Sequence, residues 1–259
     1  MLLVSDIHVA RSEQRLWQAI LDAYDHRSDP KDRVVVIAGD LVQHPTEEEY
    51  EVASDFVDAL LDRGALIVLT PGNHDFGVTG EHLPLVGKSG RKRFEAILEK
   101  VRHQPEVIAH NDFDLVIDTG SELFMALRST HRGKAAYAGF KGGKRITSEQ
   151  LDWVCGVLEG LDRGSRRLHL VTHRSLWEDP RHSSLDRRRR LEERLLVPFK
   201  VDTFIHGHNH RYSHGIETTP KTGYRLTRIG LPTLSNRDEN NRGFVSWDGR
   251  SPTSTPVPL

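Results

Sequence analysis

Short apolar runs recur along the chain, and most of them are followed directly by polar residues of types that bind metal ions. LLV precedes SDIH, VVVIA precedes GD, and LIVLT precedes PGNHD. Runs of this kind are typical of strands buried in a sheet, and the carboxyl ends of parallel strands meet at one edge of that sheet. The pattern therefore predicts a sheet with a polar site at one edge.

Segments with helical periodicity separate the first three predicted strands. RLWQAILDAY and EEEYEVASDFVDALLDRG carry apolar residues at helical spacing, and Gly64 lies where the second helix should stop. The resulting β-α-β-α-β order predicts parallel strands joined by right-handed crossovers, and so an α/β fold.

The rest of the chain is richer in predicted strands. EVIA, FDLVID, ELFMALRS, LHLVTH and DTFIHGHNH are typical of strands, and SEQLDWVCGVLEGL predicts a helix capped by Ser148 and Gln150. GYRLTRIG and GFVSWDG are interpreted as edge strands of a second sheet, followed by a ragged end rich in Pro, Ser and Thr.

Length and composition favour one domain over residues 1–259. No repeat or linker divides the sequence, and residues 76–104, rich in Gly and basic residues, are interpreted as a lid-like insertion. No apolar segment approaches the ~20 residues that span a bilayer, and the N-terminus has no secretory signal pattern. With one cysteine, Cys155, these features favour a cytoplasmic location, while the oligomeric state stays open.

The charge balance limits the classes of partner. Lys and Arg number 36, and Asp and Glu number 37. A chain without net positive charge has no general attraction for nucleic acid, so a small anionic substrate is the better expectation.

Seven residues at or just after predicted strand ends form the candidate metal site: Asp6, His8, Asp40, Asn73, His173, His208 and His210. The single cysteine excludes Cys-rich zinc sites. Mixed oxygen and imidazole ligands suit manganese, iron, zinc or nickel better than magnesium or calcium. Asp40, alone after a glycine, is the natural carboxylate to bridge two ions, and the D-x-H and H-x-H spacings could place both side chains on one side of a strand.

Two divalent ions in such a site would make a hydroxide available at neutral pH, because coordination lowers the pKa of water from ~15.7 toward ~7. In-line attack by that bridging hydroxide on phosphorus would expel an alkoxide, which needs a proton. His74 is adjacent to a ligand but is not required to hold a metal, so it is the candidate general acid.

The motifs DIH, GD, GNHD, VTH and GHNH resemble the signature of the calcineurin-like metallophosphoesterase family. The resemblance extends from Asp6 to His210 and implies two mixed β-sheets packed face to face with helices outside, a four-layer αββα sandwich. It also implies a binuclear phosphoesterase and gives His74 the role of leaving-group acid. The implied ligand sets are Asp6, His8, Asp40 and His210 for one ion, and Asp40, Asn73, His173 and His208 for the other.

Differences from the motifs of particular subfamilies argue against membership in three of them. In GDLVQH, Gln43 stands where protein Ser/Thr phosphatases have Asp and purple acid phosphatases have Tyr, while lipid A precursor pyrophosphatases have Arg at the position of His74. ITSEQLDWV is similar to a helix of small bacterial phosphodiesterases that include the class III cyclic nucleotide enzymes, although THRSLWED departs from their His-His-x-Pro turn. Asp75 becomes the candidate to orient the His74 imidazole.

Two alternative functions stay open: a nuclease of the same family, and a non-catalytic metal-binding scaffold. The neutral charge balance disfavours the first, and the complete ligand set disfavours the second. Arg11 and Arg174 could contact phosphate, although solvated surface positions are the commoner role of arginine. His206 is expected outside the ligand set, other histidines such as His169 are expected at the surface, and the Arg187–Arg190 run is expected on a solvated helix face.

Overall fold

The computed structural model describes residues 1–9, 14–27, 33–77, 86–130, 146–175, 189–219, 221–234 and 242–257. Its strands are β1 Leu2–Val4, β2 Val34–Ile37, β3 Leu66–Leu69, β4 Val107–Asn111, β5 Asp114–Asp118, β6 Glu122–Ala126, β7 Arg167–Thr172, β8 Thr203–His206, β9 Ser213–Thr218, β10 Arg225–Gly230, β11 Gly243–Trp247 and β12 Pro252–Pro256. Its α-helices are α1 Gln14–Asp25, α2 Glu47–Asp62, α3 Val86–Arg102 and α4 Ser148–Glu159, and a π-helical turn covers Glu192–Leu196.

The strands form two mixed sheets. The five-stranded sheet has the order β12-β11-β1-β2-β3, with β1, β2 and β3 parallel. The seven-stranded sheet has the order β4-β5-β6-β7-β8-β10-β9, with β6, β7, β8 and β10 parallel. This arrangement confirms the expected fold class of two packed mixed sheets with helices.

Side-chain alternation shows that the second sheet is covered on both faces. In β5, Leu115 and Ile117 join the large core shared with the first sheet, while Val116 joins a second core with α4 and the π-helical turn. In β6, Phe124 faces the first core and Met125 the second. Residues that alternate between two cores indicate a strand buried on both sides, which explains the continuous apolar runs.

The N-cap of helix α4 lies one residue before the predicted cap. Thr147, rather than Ser148, is the N-cap, and its hydroxyl accepts the Gln150 backbone N–H at 3.2 Å. The Gln150 side-chain oxygen in turn accepts the Thr147 backbone N–H at 2.9 Å. This reciprocal pair is a capping box, which requires the partner three residues after the cap.

The predicted arrangement of the C-terminal strands was right in placing β10 in the second sheet but wrong in placing β11 there and in making both edge strands. Strand β10 lies inside the second sheet between β8 and β9, and β11 lies inside the first sheet, where Leu2 pairs with Ser246. The expected ragged end contains β12, an edge strand on β11. These pairings join residues far apart in sequence, so the local patterns could not assign the strands to sheets.

The predicted insertion at 76–104 is largely helical where it is described. Helix α3 packs against α2 and β3, and Phe94 forms a buried aromatic cluster with Phe76 and Phe113. Residues 78–85 lie outside the described part of the chain. None of the helices among the described residues is both long enough and apolar enough to cross a membrane.

Candidate metal centre

The seven predicted ligands converge where β1, β2, β3, β7 and β8 end. The ligand atoms of six of these residues and of His74 form three groups, and within each group the atoms lie no more than 4.8 Å apart. The groups are Asp6, His8 and His210; His8, Asp40 and His74; and Asp40, His173 and His208. Asn73 completes the set, since its Oδ1 lies 3.1 Å from His173 Nε2.

Left-handed backbone, rather than strand alternation, brings these side chains together. Of the seven non-glycine residues described with positive φ, five are predicted ligands: Asp6 at 51°, His8 at 47°, Asp40 at 54°, His208 at 70° and His210 at 56°. They lie beyond the strand ends, so the expected placement along a strand was wrong. Non-glycine residues are uncommon in this region, and such conformations cluster at functional sites where the surroundings enforce them.

Two motif glycines are required by close packing against the carboxylates. A Cβ on Gly72 would lie 2.0 Å from Asp40 Oδ1, and one on Gly207 would lie 1.8 Å from Ser5 Oγ and 2.7 Å from Asp6 Oδ2. All three distances are below van der Waals contact, so any other residue would displace these side chains. The glycines of the GNHD and GHNH motifs therefore leave the space that the Asp40 and Asp6 side chains occupy.

Backbone carbonyls after β2 orient three histidines from different segments. The Nδ1 atoms lie 2.9 Å from the carbonyl oxygen of Ala38 for His173, 3.3 Å from that of Val42 for His8, and 2.9 Å from that of Gln43 for His74. A carbonyl oxygen only accepts hydrogen bonds, so each Nδ1 carries the proton. Each Nε2 is thereby directed to the site, the orientation typical of metal-ligating histidine.

Each carboxylate is held by hydrogen bonds to one oxygen, and its other oxygen faces the histidines of the site. Asp6 Oδ2 accepts the Ser5 hydroxyl at 2.5 Å and the His208 backbone N–H at 2.9 Å, and Asp40 Oδ1 accepts the His74 backbone N–H at 2.8 Å. Asp6 Oδ1 and Asp40 Oδ2 are buried and face imidazole nitrogens of the same site, His210 Nε2 at 3.0 Å and His173 Nε2 at 3.2 Å. Buried anionic oxygens of this kind fit a cation, so the residues present suit divalent metal ions.

The electrostatics keep the carboxylates ionised. Burial alone would raise the pKa of Asp40, but the nearby His173 outweighs burial and lowers it. Burial would likewise lower the pKa of His173, whereas Asp40 raises it to about 9. Burial, followed by the positive charges of His173 and Arg174, lowers the pKa of His208 to about 3, which keeps its imidazole neutral.

Asp75 braces the backbone instead of orienting His74. Its carboxylate accepts the backbone N–H groups of Gly72 at 2.7 Å, Asp40 at 3.0 Å and Val42 at 3.2 Å. The His74 imidazole is held by the Gln43 carbonyl oxygen, so the predicted Asp75 contact was wrong. A fully buried acid with these partners links the loops after β2 and β3, which carry Asp40 and Asn73.

Replacing Asp75 with asparagine should weaken both the fold and the metal site. The amide NH2 would face a backbone N–H that the carboxylate now accepts, and an unsatisfied buried donor costs about 1–3 kcal/mol. We expect a lower melting temperature of the metal-free protein together with lower metal affinity. Thermal unfolding and metal titration would check this, and unchanged values of both would contradict the bracing role.

Arg174 lies inside the site, although sequence reasoning favoured a solvated position. Its Nη1 is 2.8 Å from His208 Nε2, and its Nη2 donates to Asn73 Oδ1 at 3.0 Å. The sequence signal that could have placed Arg174 in the site was its position directly after the predicted ligand His173. Arg11, the other arginine considered as a phosphate contact, lies outside the described residues.

The remaining histidine and arginine expectations had mixed outcomes. His206 belongs to none of the three groups among the described residues, as expected, and stacks on Phe204. His169 was expected at the surface but is fully buried, with Nε2 2.5 Å from the Glu122 carboxylate. Arg189 is exposed and pairs with Glu193, as expected for a solvated helix face; Arg187 and Arg188 lie outside the described residues.

Comparisons with known proteins agree with this geometry. The family model described as calcineurin-like phosphoesterase matches residues 1–212. A search of curated proteins finds no match.

Two solved structures share the fold. A dimetal phosphatase from Danio rerio is similar with a TM-score of 0.63 and 15% identity, over 94% of this chain and 90% of that chain. Purple acid phosphatase PPD1 from yellow lupin seeds is similar with a TM-score of 0.60 and 16% identity, over 94% of this chain but only 48% of that chain. At these identities the likeness concerns the fold alone.

Proposed function

Because the chain belongs to the calcineurin-like phosphoesterase family, we propose that it hydrolyses a small phosphoester, specifically a phosphodiester, with two divalent metal ions. The observation that carries the proposal is the convergence of seven ligand residues with a histidine outside the ligand set. Retention of every one of these residues favours an enzyme over a non-catalytic scaffold.

The ligands divide into two sets that share Asp40. Asp6, His8, Asp40 and His210 would hold the first ion, and Asp40, Asn73, His173 and His208 would hold the second. The two outer groups of the site contain three members of each set, which supports this division. When bound, the ions would supply the hydroxide nucleophile and neutralise charge on the phosphoryl group; manganese, iron, zinc or nickel would suit these ligands.

His74 would protonate the leaving group. Its Nδ1 donates its proton to the Gln43 carbonyl oxygen, so a second proton can only reside on Nε2. The His74 imidazole is grouped with the ligand residues His8 and Asp40. Donation from Nε2 to the departing alkoxide oxygen avoids expulsion of a strongly basic anion. Because the side chain is only half-buried, a substrate oxygen can approach it from solvent.

The preference for a diester rests on the sequence of α4 and its approach. ITSEQLDWV is similar to a helix of small bacterial phosphodiesterases, and the capping box of Thr147 and Gln150 fixes the start of that helix. Gln150 also bonds Asp114 at 2.8 Å and the Arg128 carbonyl oxygen at 3.0 Å, which ties α4 to the end of β6. Cyclic nucleotides are therefore the first natural diesters to test, and single-stranded DNA tests the nuclease alternative.

A metal-dependent assay tests the proposal. Chelator-treated protein would be reloaded with Mn²⁺ and assayed with bis(p-nitrophenyl) phosphate, p-nitrophenyl phosphate, a panel of cyclic nucleotides and single-stranded DNA. We expect activity that depends on added metal and is greater on the diester. Faster monoester turnover would reject the diester preference alone, whereas no metal-dependent hydrolysis of any substrate would reject the function.

A further inference from the structure

We propose that Arg174 occupies the second metal site as an internal cation, so that the second ion binds in competition with its guanidinium group. The inference rests on the proposed function, because it assigns how that site is loaded. It makes the two metal sites unequal and predicts that the ions bind one after the other.

The backbone of Arg174 is fixed beside the site. It directly follows His173 at the end of β7, its backbone N–H donates to Ser129 Oγ at 2.9 Å, and its carbonyl oxygen accepts the Thr172 hydroxyl at 2.7 Å. The Cα position of Arg174 is therefore fixed, and the guanidinium group can move only by a change of side-chain rotamer.

The guanidinium group covers lone pairs that an ion would need. Its Nη1 lies 2.8 Å from His208 Nε2, and its Nη2 lies 3.0 Å from Asn73 Oδ1. Arginine only donates hydrogen bonds, so His208 Nε2 is the acceptor and carries no proton. The metal-binding form of His208 is thus present, but its coordinating electron pair is engaged by the arginine.

An ion at the second site cannot share these electron pairs with Arg174. Coordination by His208 and Asn73 would break both hydrogen bonds and would place two positive charges side by side. The guanidinium group must then leave, and the free energy of its two bonds is subtracted from the binding free energy of the ion.

The first site carries no such competitor. Within the part of the chain that the structure describes, no lysine or arginine bonds to Asp6, His8 or His210. An ion at this site therefore displaces no guanidinium group. We expect the first ion to bind more tightly than the second.

The test is a metal titration of the full chain, stripped with chelator, by calorimetry with Mn²⁺. In Arg174→Ala the second ion should bind about ten- to hundredfold more tightly than in the wild type, because each of the two displaced hydrogen bonds to a charged group is worth about a factor of ten. The first ion should bind within about twofold of the wild type. Arg174→Lys, whose ammonium lacks the guanidinium fork, should give intermediate affinity for the second ion.

Thermal unfolding supplies an independent measurement, and Arg189→Ala serves as the matched control. The metal-free Arg174→Ala protein should melt at a lower temperature than the metal-free wild type, because His208 and Asn73 lose their cation. Arg189 is exposed and away from the site, so its removal should leave both ion affinities unchanged.

The outcomes separate this inference from the proposed function. If the wild type binds two ions but Arg174→Ala binds the second with equal or lower affinity, the competition is overturned while the two-metal function stands. If the wild type fails to bind two ions, both proposals are overturned.

Discussion

Replacing Asp40 with asparagine should remove bound metal and hydrolysis together, with a loss of rate of about a thousandfold or more. Asp40 is the only residue that belongs to both proposed ligand sets, so the loss of its charge weakens both ion sites. Bound ions supply several kcal/mol of transition-state stabilisation, and each 1.36 kcal/mol corresponds to about a tenfold change in rate. Elemental analysis after dialysis and a diesterase assay on the same sample would measure the two losses.

Asparagine is the appropriate substitution because it preserves the local hydrogen bonding. Its Oδ1 can still accept the His74 backbone N–H, which Asp40 Oδ1 now accepts at 2.8 Å, while a neutral amide replaces Oδ2, the oxygen that faces His173. Asp55→Asn, on the exposed side of α2, removes the same charge outside the site and should leave metal content and rate unchanged. An Asp40→Asn protein with two tightly bound ions would exclude Asp40 as the bridge.

The convergence of the ligands could be predicted because its determinants are local. Each ligand motif follows the apolar run of a strand, and parallel strands place their carboxyl ends at one edge. Because β1, β2 and β3 belong to one sheet and β7 and β8 to the other, packing of the two sheets is what unites the groups at Asp40 and His173. The motifs indicated which residues meet, and the fold explains how.

Other features of the site depend on backbone geometry that residue identity does not reveal. The left-handed conformations of Asp6 and His208 are imposed by contacts that cross the two sheets, such as the bond from the His208 backbone N–H to Asp6. The bonds that orient His74 and His173 come from main-chain carbonyl groups, and every residue carries one. For this reason the sequence predicted that Asp75 contacts its neighbour His74, whereas its carboxylate in fact accepts backbone N–H groups such as those of Asp40 and Val42.

Hydrogen bonds between buried side chains on neighbouring strands also could not be predicted from the local sequence. His169 was expected at the surface because no other ligand-type residue lies at a suitable spacing. In the fold it lies between Phe124 and Trp247 and pairs with Glu122 on the adjacent strand. Partners that meet only through strand pairing decide whether such a histidine can be buried.

Replacing His74 with alanine should lower the rate by about a hundredfold to ten-thousandfold for a diester with an alkyl leaving group, since general acids contribute that range. Both ions should remain bound, because His74 belongs to neither proposed ligand set. Its ligand atom nevertheless lies within 4.8 Å of those of His8 and Asp40, so a role as a metal ligand is the competing explanation. Metal content of the purified variant distinguishes the two roles.

Substrates with different leaving groups provide a second way to distinguish a general-acid role of His74 from a role as a metal ligand. p-Nitrophenolate is a stable anion and gains little from protonation, so His74→Ala should impair hydrolysis of bis(p-nitrophenyl) phosphate much less than hydrolysis of an alkyl diester. A residue that acted through the metal or the nucleophile would impair both substrates equally. His103→Ala, which removes a histidine whose side chain is 75% exposed, should affect neither substrate. Equal defects on the two esters, or loss of an ion, would remove His74 from the role of acid.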